Sequence, residues 1–329
     1  MGNWDGTVIV TGGAGFIGSC LVRKLNEQGI DDIIIVDNIA ATEKWRNLNN
    51  KTYREYIHKD QFLLKLKNGG YLNVGGILHM GACSSTIEKN FDYLWQNNVE
   101  YSKTLWDYCA EARIPFLYAS SAATYGDGKR GFDDKTEIGR LRPLNGYGYS
   151  KKAFDQWSQK QKHSPAQHVG FRFFNVYGPN EYFKGSMASM AYHGFKQITE
   201  HEKTIRLFKS ENPGYDDGGQ MRDFVYVKDI CDVIWFFMKN PEYNGIFNIG
   251  TGRAQTFKEL ADAIFHALGL KPNIEYIDMP EAIKSNYQYY TQADLSELRK
   301  TGYDGTFRDV EQGVYEYVTE YLSQQYKIY

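Results

Sequence analysis

The chain has 329 residues, 42% of them apolar and 24% charged, enough for a real core in about two domains or one large α/β unit. With 38 Lys+Arg against 40 Asp+Glu the formal charge is -2, so no global basic field directs the chain to nucleic acid. No apolar run, of which Val233–Met238 is typical, nears the roughly 18 residues of a membrane helix, and the polar stretch Met1–Asp5 leads into a strand rather than a signal peptide.

Thr7–Val10 is a β-branched run, followed by the glycine-rich segment Thr11–Gly18. An amphipathic stretch runs from Ser19 to Gln28, with Cys20, Leu21 and Leu25 on one face and Gly29 closing it. Ile33–Val36 is a second apolar strand, ending at Asp37. Strand, glycine turn, helix and strand within about thirty residues make a βαβ unit. Gly76–His79 reads as a strand, Tyr101–Arg113 as a helix, Pro115–Ala119 and Val169–Phe174 as strands. The alternation implies a parallel sheet covered by helices on both faces. After Pro179 the pattern changes. Ser186–Gln197 reads as a helix, Glu211–Gln220 as a surface loop, Ile230–Lys239 as a helix and Gly245–Ile249 as a strand. Thr256–Leu268 reads as a helix with Thr256 as N-cap and Gly269 as its stop, Ile274–Ile277 as a short strand, and the tail from Phe307 as mostly helical.

Gly12, Gly15 and Gly18 stand in a G-x-x-G-x-x-G spacing between strand and helix. Glycines there let the backbone approach a pyrophosphate whose charge sits on the helix N-terminus. Asp37, 19 residues past Gly18, is placed to hold an adenosine ribose. A carboxylate favours NAD, whereas Asn38, Lys44 and Arg46 nearby admit a 2′-phosphate. The residues leave NAD and NADP both open.

Tyr147 and Lys151 stand four apart on one helical face. An ammonium beside a phenol stabilises phenolate and lowers its pKa. Ser121, just past the strand Pro115–Ala119, brings a hydroxyl to the same site. Oxidising a carbinol by hydride transfer needs a base for its proton and a donor for the nascent carbonyl, and these groups supply both. The four cysteines, Cys20, Cys83, Cys109 and Cys231, form no CxxC pair, and the seven histidines show no metal-binding spacing. They read as thiols in a reducing, cytoplasmic compartment, with no metal centre.

These features, with Arg172–Pro179, Arg222–Asp229 and Phe247–Gly252, resemble the extended short-chain dehydrogenase/reductase family that acts on nucleotide sugars. The implied fold is α/β: a Rossmann-type doubly wound parallel sheet with a smaller C-terminal α/β substrate domain. Residues 1–175, with return segments at about 221–252, would bind NADP, and 176–220 with 253–329 the substrate. His79–Ser85, Tyr118–Tyr125, Lys184–Ser189 and Tyr290–Leu295 resemble the branch that epimerises an ADP-heptose at C6″ for lipopolysaccharide core; Met80 departs from it, where an acid is expected.

The resemblance implies NADP, with NAD possible, held by Phe16 and Ile17 over the pyrophosphate and by Asp37, Asn38, Lys44 and Lys59 at the adenosine end. Met80, Gly81, Ala82, Cys83, Ser84, Asn97 and Val176 would line the trough. Tyr147 and Lys184 would be the acid–base pair, with Lys151 on the ribose and Ser121 assisting. Asn175, Ser186, His193, Phe208, Lys209, Ser210, Glu211, Arg222 and Tyr287 would meet the ADP-sugar. Arg222 beside Asp223 also admits a plain ion pair, and Lys184 a solvated loop lysine. A homo-oligomer, a pentamer, is implied as well. Ala122 and Ala123 stand where dehydratases of the family carry an Asp-Glu pair, which removes the acid and base of an elimination. A hexose 4-epimerase and a catalytically silent cofactor-binding regulator are the competing readings; intact Ser121, Tyr147 and Lys151 speak against the second.

Overall fold

The structure, a computed structural model, describes residues 4–71, 73–200, 203–284 and 287–329; the first three residues of the polar N-terminal stretch lie outside them. In chain order the strands are β1 (Thr7–Thr11), β2 (Ile33–Asp37), β3 (Glu55–His58), β4 (Val74–His79), β5 (Phe116–Ser121), β6 (His168–Phe173), β7 (Asn175–Tyr177), β8 (Ile205–Phe208), β9 (Met221–Arg222), β10 (Phe224–Tyr226), β11 (Gly245–Ile249), β12 (Gln255–Thr256) and β13 (Ile274–Ile277). The helices are α1 (Phe16–Glu27), α2 (Lys59–Lys67), α3 (Phe91–Trp95), α4 (Tyr101–Ala112), α5 (Gly146–Ser158), α6 (Met190–Glu200), α7 (Val227–Lys239), α8 (Phe257–Ala267), α9 (Glu281–Lys284), α10 (Ser296–Lys300) and α11 (Val310–Tyr317).

Among the described residues seven strands form one sheet in the order β11-β6-β5-β4-β1-β2-β3, every pair parallel. The order reverses between β1 and β4, and the crevice outside their carboxyl ends is where a doubly wound sheet binds ligands. Because strand side chains alternate between faces, Val8 and Val10 enter the core beneath α1 and α7, while Ile9 enters the core with Leu105 and Trp106 of α4. Both faces are therefore covered. A third core gathers Phe195 of α6, Ile264 of α8 and Val314 of α11 around Ile205 and Leu207 of β8. Helix α8 carries a full capping box between Thr256 and Glu259, and Gly269 follows it at φ +66°.

Two boundaries move and two elements go unannounced, for physical reasons. Helix α1 starts at Phe16 rather than Ser19, because the Gly15 N–H closes on Gly12 O (2.9 Å) and the helix opens inside the glycine motif. Helix α6 starts at Met190 rather than Ser186, because Gly185 turns the chain at φ +56° and the Ser189 hydroxyl accepts from Tyr192 N (3.2 Å) at the true start. Strand β3 and helix α2 follow a polar edge sequence in which only Ile57 of the strand is buried, so no alternation announces them.

Candidate active site

The glycine turn sits at the β1–β4 crevice. Gly12 has φ +68°, and a Cβ there would lie 2.7 Å from Gly81 Cα; a Cβ on Gly18 would lie 2.1 Å from Gly12 O. These positions must be glycine for the turn to close under the helix. Gly15 is an N-cap without a side-chain cap, so the first N–H groups of α1 face the crevice. They border a cavity of about 700 Å³ whose walls include Phe16, Ile17, Met80–Ser84, Ser121, Tyr147, Lys151, Asn175, Val176 and Lys184. A smaller cavity of about 130 Å³ continues it, lined by Asp37, Asn38, Lys44, Lys59, Asn97 and Tyr101. An uncapped helix N-terminus, a glycine cradle and an acid at the end of β2 fit a dinucleotide.

Asp37 is buried, and three donors reach its carboxylate, which has about four acceptor sites. Its carboxylate accepts from Ala14 N (2.9 Å), Asn38 N (2.7 Å) and Lys44 Nζ (2.7 Å). Lys44 is thus the counter-ion of Asp37 rather than a solvated lysine. Lys59 pairs with Asp60 (2.8 Å) at the rim.

Asn145 caps α5, its Oδ1 accepting from Gly148 N (2.8 Å), and the helix presents Tyr147 and Lys151 to the trough together. Lys151 donates to Ala119 O (2.8 Å), and burial lowers its pKa to about 8 against the pull of Asp155. Burial raises the Tyr147 phenol, and the Ser121 hydroxyl draws it back down. Burial sets the direction for the Tyr147 phenol, and the Lys151 Nζ, from which a lowering is expected, is turned to the Ala119 carbonyl. Lys184 is half-buried, with Nζ 5.2 Å from the Phe16 ring centroid, and burial lowers its pKa while Glu181 opposes. It is not a solvated loop lysine. Cys83 is pushed up by burial, which leaves it a thiol.

A further cavity of about 260 Å³ shares Ser121, Tyr147 and Asn175 with the trough and adds Thr86, Asn145, Gln288 and Thr291. Sequence reasoning does not single out these last four: Thr86, Asn145 and Gln288 come from loops without a motif, and Thr291 lies in the Tyr290–Leu295 motif, which by itself gives it no role. Sequence reasoning also misses Asn98, buried in the π-turn at Gln96–Glu100, which binds Cys83 N (2.8 Å), Cys83 O (3.0 Å) and Ser150 Oγ (2.9 Å) and so pins the Met80–Ser84 wall to α5.

Arg222 is 7% exposed, its guanidinium stacked between Phe257 (5.5 Å) and Tyr287 (5.3 Å). Phe208 packs edge-on against Tyr287 at 6.4 Å. The ion pair with Asp223 does not form. Asp223 instead accepts from Thr251 N and Oγ1, Gly252 N and Ala293 N (2.6–3.0 Å). Among the described residues no carboxylate lies within 4.0 Å of Arg222; its Nη1 donates to Met221 O (2.8 Å), and it is not among the residues lining the cavities above. Lys209, Ser210 and Glu211 are turned to Asp278, Asn212 and Lys284. Ser186 is exposed and His193 packs beside Tyr192 on α6; neither is among the residues lining these cavities.

The profile of the NAD dependent epimerase/dehydratase family matches residues 8–250. The chain is 50% identical over 317 residues to a protein of Nitratidesulfovibrio vulgaris (strain Hildenborough) named ADP-L-glycero-D-manno-heptose-6-epimerase, covering 96% of this chain and 98% of that one. A protein of the same name from Fusobacterium nucleatum is 47% identical over 330 residues, covering 97% and 98%. The solved Helicobacter pylori ADP-L-glycero-D-manno-heptose-6-epimerase superposes with a TM-score of 0.81 at 26% identity, covering 97% of this chain and 96% of that one. A UDP-N-acetylglucosamine 4-epimerase from Methanobrevibacter ruminantium superposes at 0.82 with 25% identity, covering 97% and 99%. The parallel sheet, the glycine cradle and these likenesses agree: the chain belongs to the NAD dependent epimerase/dehydratase family, and within it groups with the ADP-L-glycero-D-manno-heptose-6-epimerases.

Proposed function

We propose that this protein epimerises C6″ of ADP-D-glycero-D-manno-heptose to the L-glycero form, using NADP that stays bound between turnovers and supplying heptose for lipopolysaccharide core. The observation that carries the chemistry is the meeting of Tyr147 and Lys184 in one trough beside the glycine turn. The names of the near-half-identical relatives supply the substrate.

The residues that would hold the dinucleotide are the N-terminus of α1 with Phe16 and Ile17, the Asp37–Lys44 pocket with Asn38 and Lys59, and the Met80–Ser84 wall with Asn97 and Val176. Lys44 favours NADP, because it neutralises the carboxylate that would repel a 2′-phosphate. Once bound, the nicotinamide supplies a hydride acceptor in one half-reaction and a donor in the other. Tyr147, assisted by Ser121, takes the C6″ hydroxyl proton as the carbon is oxidised, and Lys151 orients the ribose. The C6″ ketone lies on a side arm, so rotation about one bond exchanges its faces while Arg222 keeps the diphosphate. In the second orientation Lys184 donates its own proton to the carbonyl oxygen, and the proton left on Tyr147 is passed to Lys184 through solvent before the next turnover. Burial lowers the pKa of Lys184, which eases proton transfer from it.

On this reading residues 1–175 with about 221–252 bind the cofactor, and 176–220 with 253–329 bind the sugar. The protein works in the cytoplasm as a homo-oligomer, a pentamer. No helix among the described residues is long and apolar enough to cross a membrane. The test is incubation with ADP-, UDP-, GDP- and dTDP-sugars followed by NMR of the products. Turnover of the ADP-heptose alone supports the reading; turnover of a UDP-hexose at C4″ replaces it with the 4-epimerase.

A further inference from the structure

The segment 178–189 carries Lys184 across the trough. Its start is pinned to the cofactor turn: Asn47 Nδ2 donates to both Ala14 O (3.0 Å) and Asn180 O (3.1 Å), and Asn180 Nδ2 donates to Ser19 Oγ on α1 (2.9 Å). Between its ends lies Glu181, which is 0% exposed. One carboxylate oxygen accepts from Gly178 N (3.2 Å) and Ser189 Oγ (2.7 Å), the other from Ser189 N (2.6 Å). The carboxylate therefore ties the first residue of the segment to the last. The main-chain carbonyl of Glu181 also accepts from Lys184 N (3.0 Å), and Lys184 O from Met187 N (3.1 Å), so the turn bearing the ammonium starts directly beside the tied carboxylate.

A carboxylate at this depth is costly unless its lone pairs are filled. A glutamine of the same shape would present an amide N–H₂ to one of three donors, so the acceptor-only group is the one that fits. No ion pair forms: among the described residues no cation lies within 4.0 Å of the Glu181 oxygens. Burial raises the Glu181 carboxyl, while the Ser189 and Gly178 donors and Lys184 draw it back toward the charged form, so the pull between Glu181 and Lys184 runs through space. The other ionisable groups facing it are Cys20 of α1, Tyr182 beside it, Tyr192 of α6 and Tyr317 of α11. All four are raised by burial and are neutral at working pH, which leaves Lys184 as the charge that Glu181 addresses.

We propose that Glu181 is a positioning residue for the reaction: its buried carboxylate closes the 178–189 segment and holds the turn that presents Lys184 to the trough. The proposal rests on the reading of Lys184 as a proton partner. It assigns to one side chain the geometry of the second acid–base group. Tyr147 sits on α5 and owes nothing to Glu181.

The test is Glu181→Gln, with Glu181→Asp and Ser189→Ala beside it. Competitive labelling of the holoenzyme with acetic anhydride across the neutral to alkaline range, read on the Lys184 peptide by mass spectrometry, gives the titration of that lysine without turnover. Losing the charge should lower the Lys184 midpoint by about one pH unit, a tenfold change in protonation. The same variant should lose kcat roughly 10- to 100-fold, as a misplaced group does, with KM unchanged. Glu181→Asp keeps the charge but cannot reach all three donors, and Ser189→Ala deletes one of them. Both should keep the parental Lys184 titration and lose kcat. A folded Glu181→Gln protein whose kcat, or whose Lys184 titration, matches the parent overturns the proposal. If Glu181→Gln fails to fold by circular dichroism, parental kcat in Glu181→Asp overturns it equally. Lys184→Met retaining turnover would remove Lys184 from the chemistry, and the labelling titration would still decide what Glu181 does to that lysine.

Discussion

Arg222 offers the sharpest perturbation. It is buried, stacked between two rings and unpaired with any carboxylate among the described residues, while Asp223 is saturated by backbone and hydroxyl donors. A charge-assisted, bidentate contact to a diphosphate contributes about 1.5–3 kcal/mol. Arg222→Ala should therefore raise KM roughly 10- to 150-fold, with kcat nearly unchanged because the contact is the same in ground and transition states. Two stability effects oppose each other. Removing the stack costs about 0.5–2 kcal/mol, and removing an uncompensated buried charge returns a similar amount. The melting temperature should then move by less than about 4 °C. Arg222→Lys keeps the charge without the planar fork and should fall between parent and alanine variant. Steady-state kinetics by NMR, calorimetric titration with ADP and a melting curve make the assay. Unchanged KM and ADP affinity with a large drop in melting temperature would refute the anion-site assignment.

Other predictions follow from the same geometry. Lys44→Ala should weaken NADP about tenfold or more and NAD much less; equal loss for both removes Lys44 from the 2′-phosphate. Tyr147→Phe and Lys184→Met should each cut kcat by about 10²–10⁴-fold while the purified protein keeps its cofactor, and near-parental turnover by Lys184→Met would leave a one-base mechanism on Tyr147. Gly18→Ala drives a Cβ onto Gly12 O at 2.1 Å, so the purified variant should carry little cofactor; full occupancy would contradict the cradle. His79 lies between Thr11 Oγ1 (2.6 Å) and Ser102 Oγ (2.9 Å), and burial pulls its pKa down to about 3. Between about pH 6.5 and 3 the unfolded chain binds a proton that the folded chain does not, so stability falls as pH drops through that window. An NMR titration should show His79 neutral throughout the physiological range, and a midpoint near the free-histidine value would contradict its burial.

Legibility in the sequence follows the range of the interactions. Strands β1 and β2 and the turn between them are local: β-branched runs, glycines whose backbone leaves no room for Cβ, and an acid at the strand end. Tyr147 and Lys151 are legible because helical spacing alone puts them on one face. The Asp37–Lys44 pair is seven residues apart, yet charge types alone did not separate it from a solvated lysine. Arg222 needed the fold: its stacking partners Phe257 and Tyr287 come from distant segments, and the adjacent Asp223 suggested the wrong partner. Gln288 and Thr86 are not legible because loop residues carry no periodicity. The Tyr147 phenol ran the other way. Helical spacing predicted a lowered pKa, but desolvation depends on everything packed around the ring.

The central claim is that the C6″ hydrogen leaves as hydride and returns to the same carbon, with Tyr147 and Lys184 handling only the hydroxyl proton. Incubating the holoenzyme with ADP-D-glycero-D-manno-heptose in D₂O and reading C6″ by NMR tests it directly. The account predicts conversion to the L-glycero epimer with protium retained at C6″ in both epimers. Deuterium at C6″ would mean that the carbon itself exchanges a proton with solvent, and no conversion would mean that this heptose is not the substrate; either result contradicts the account.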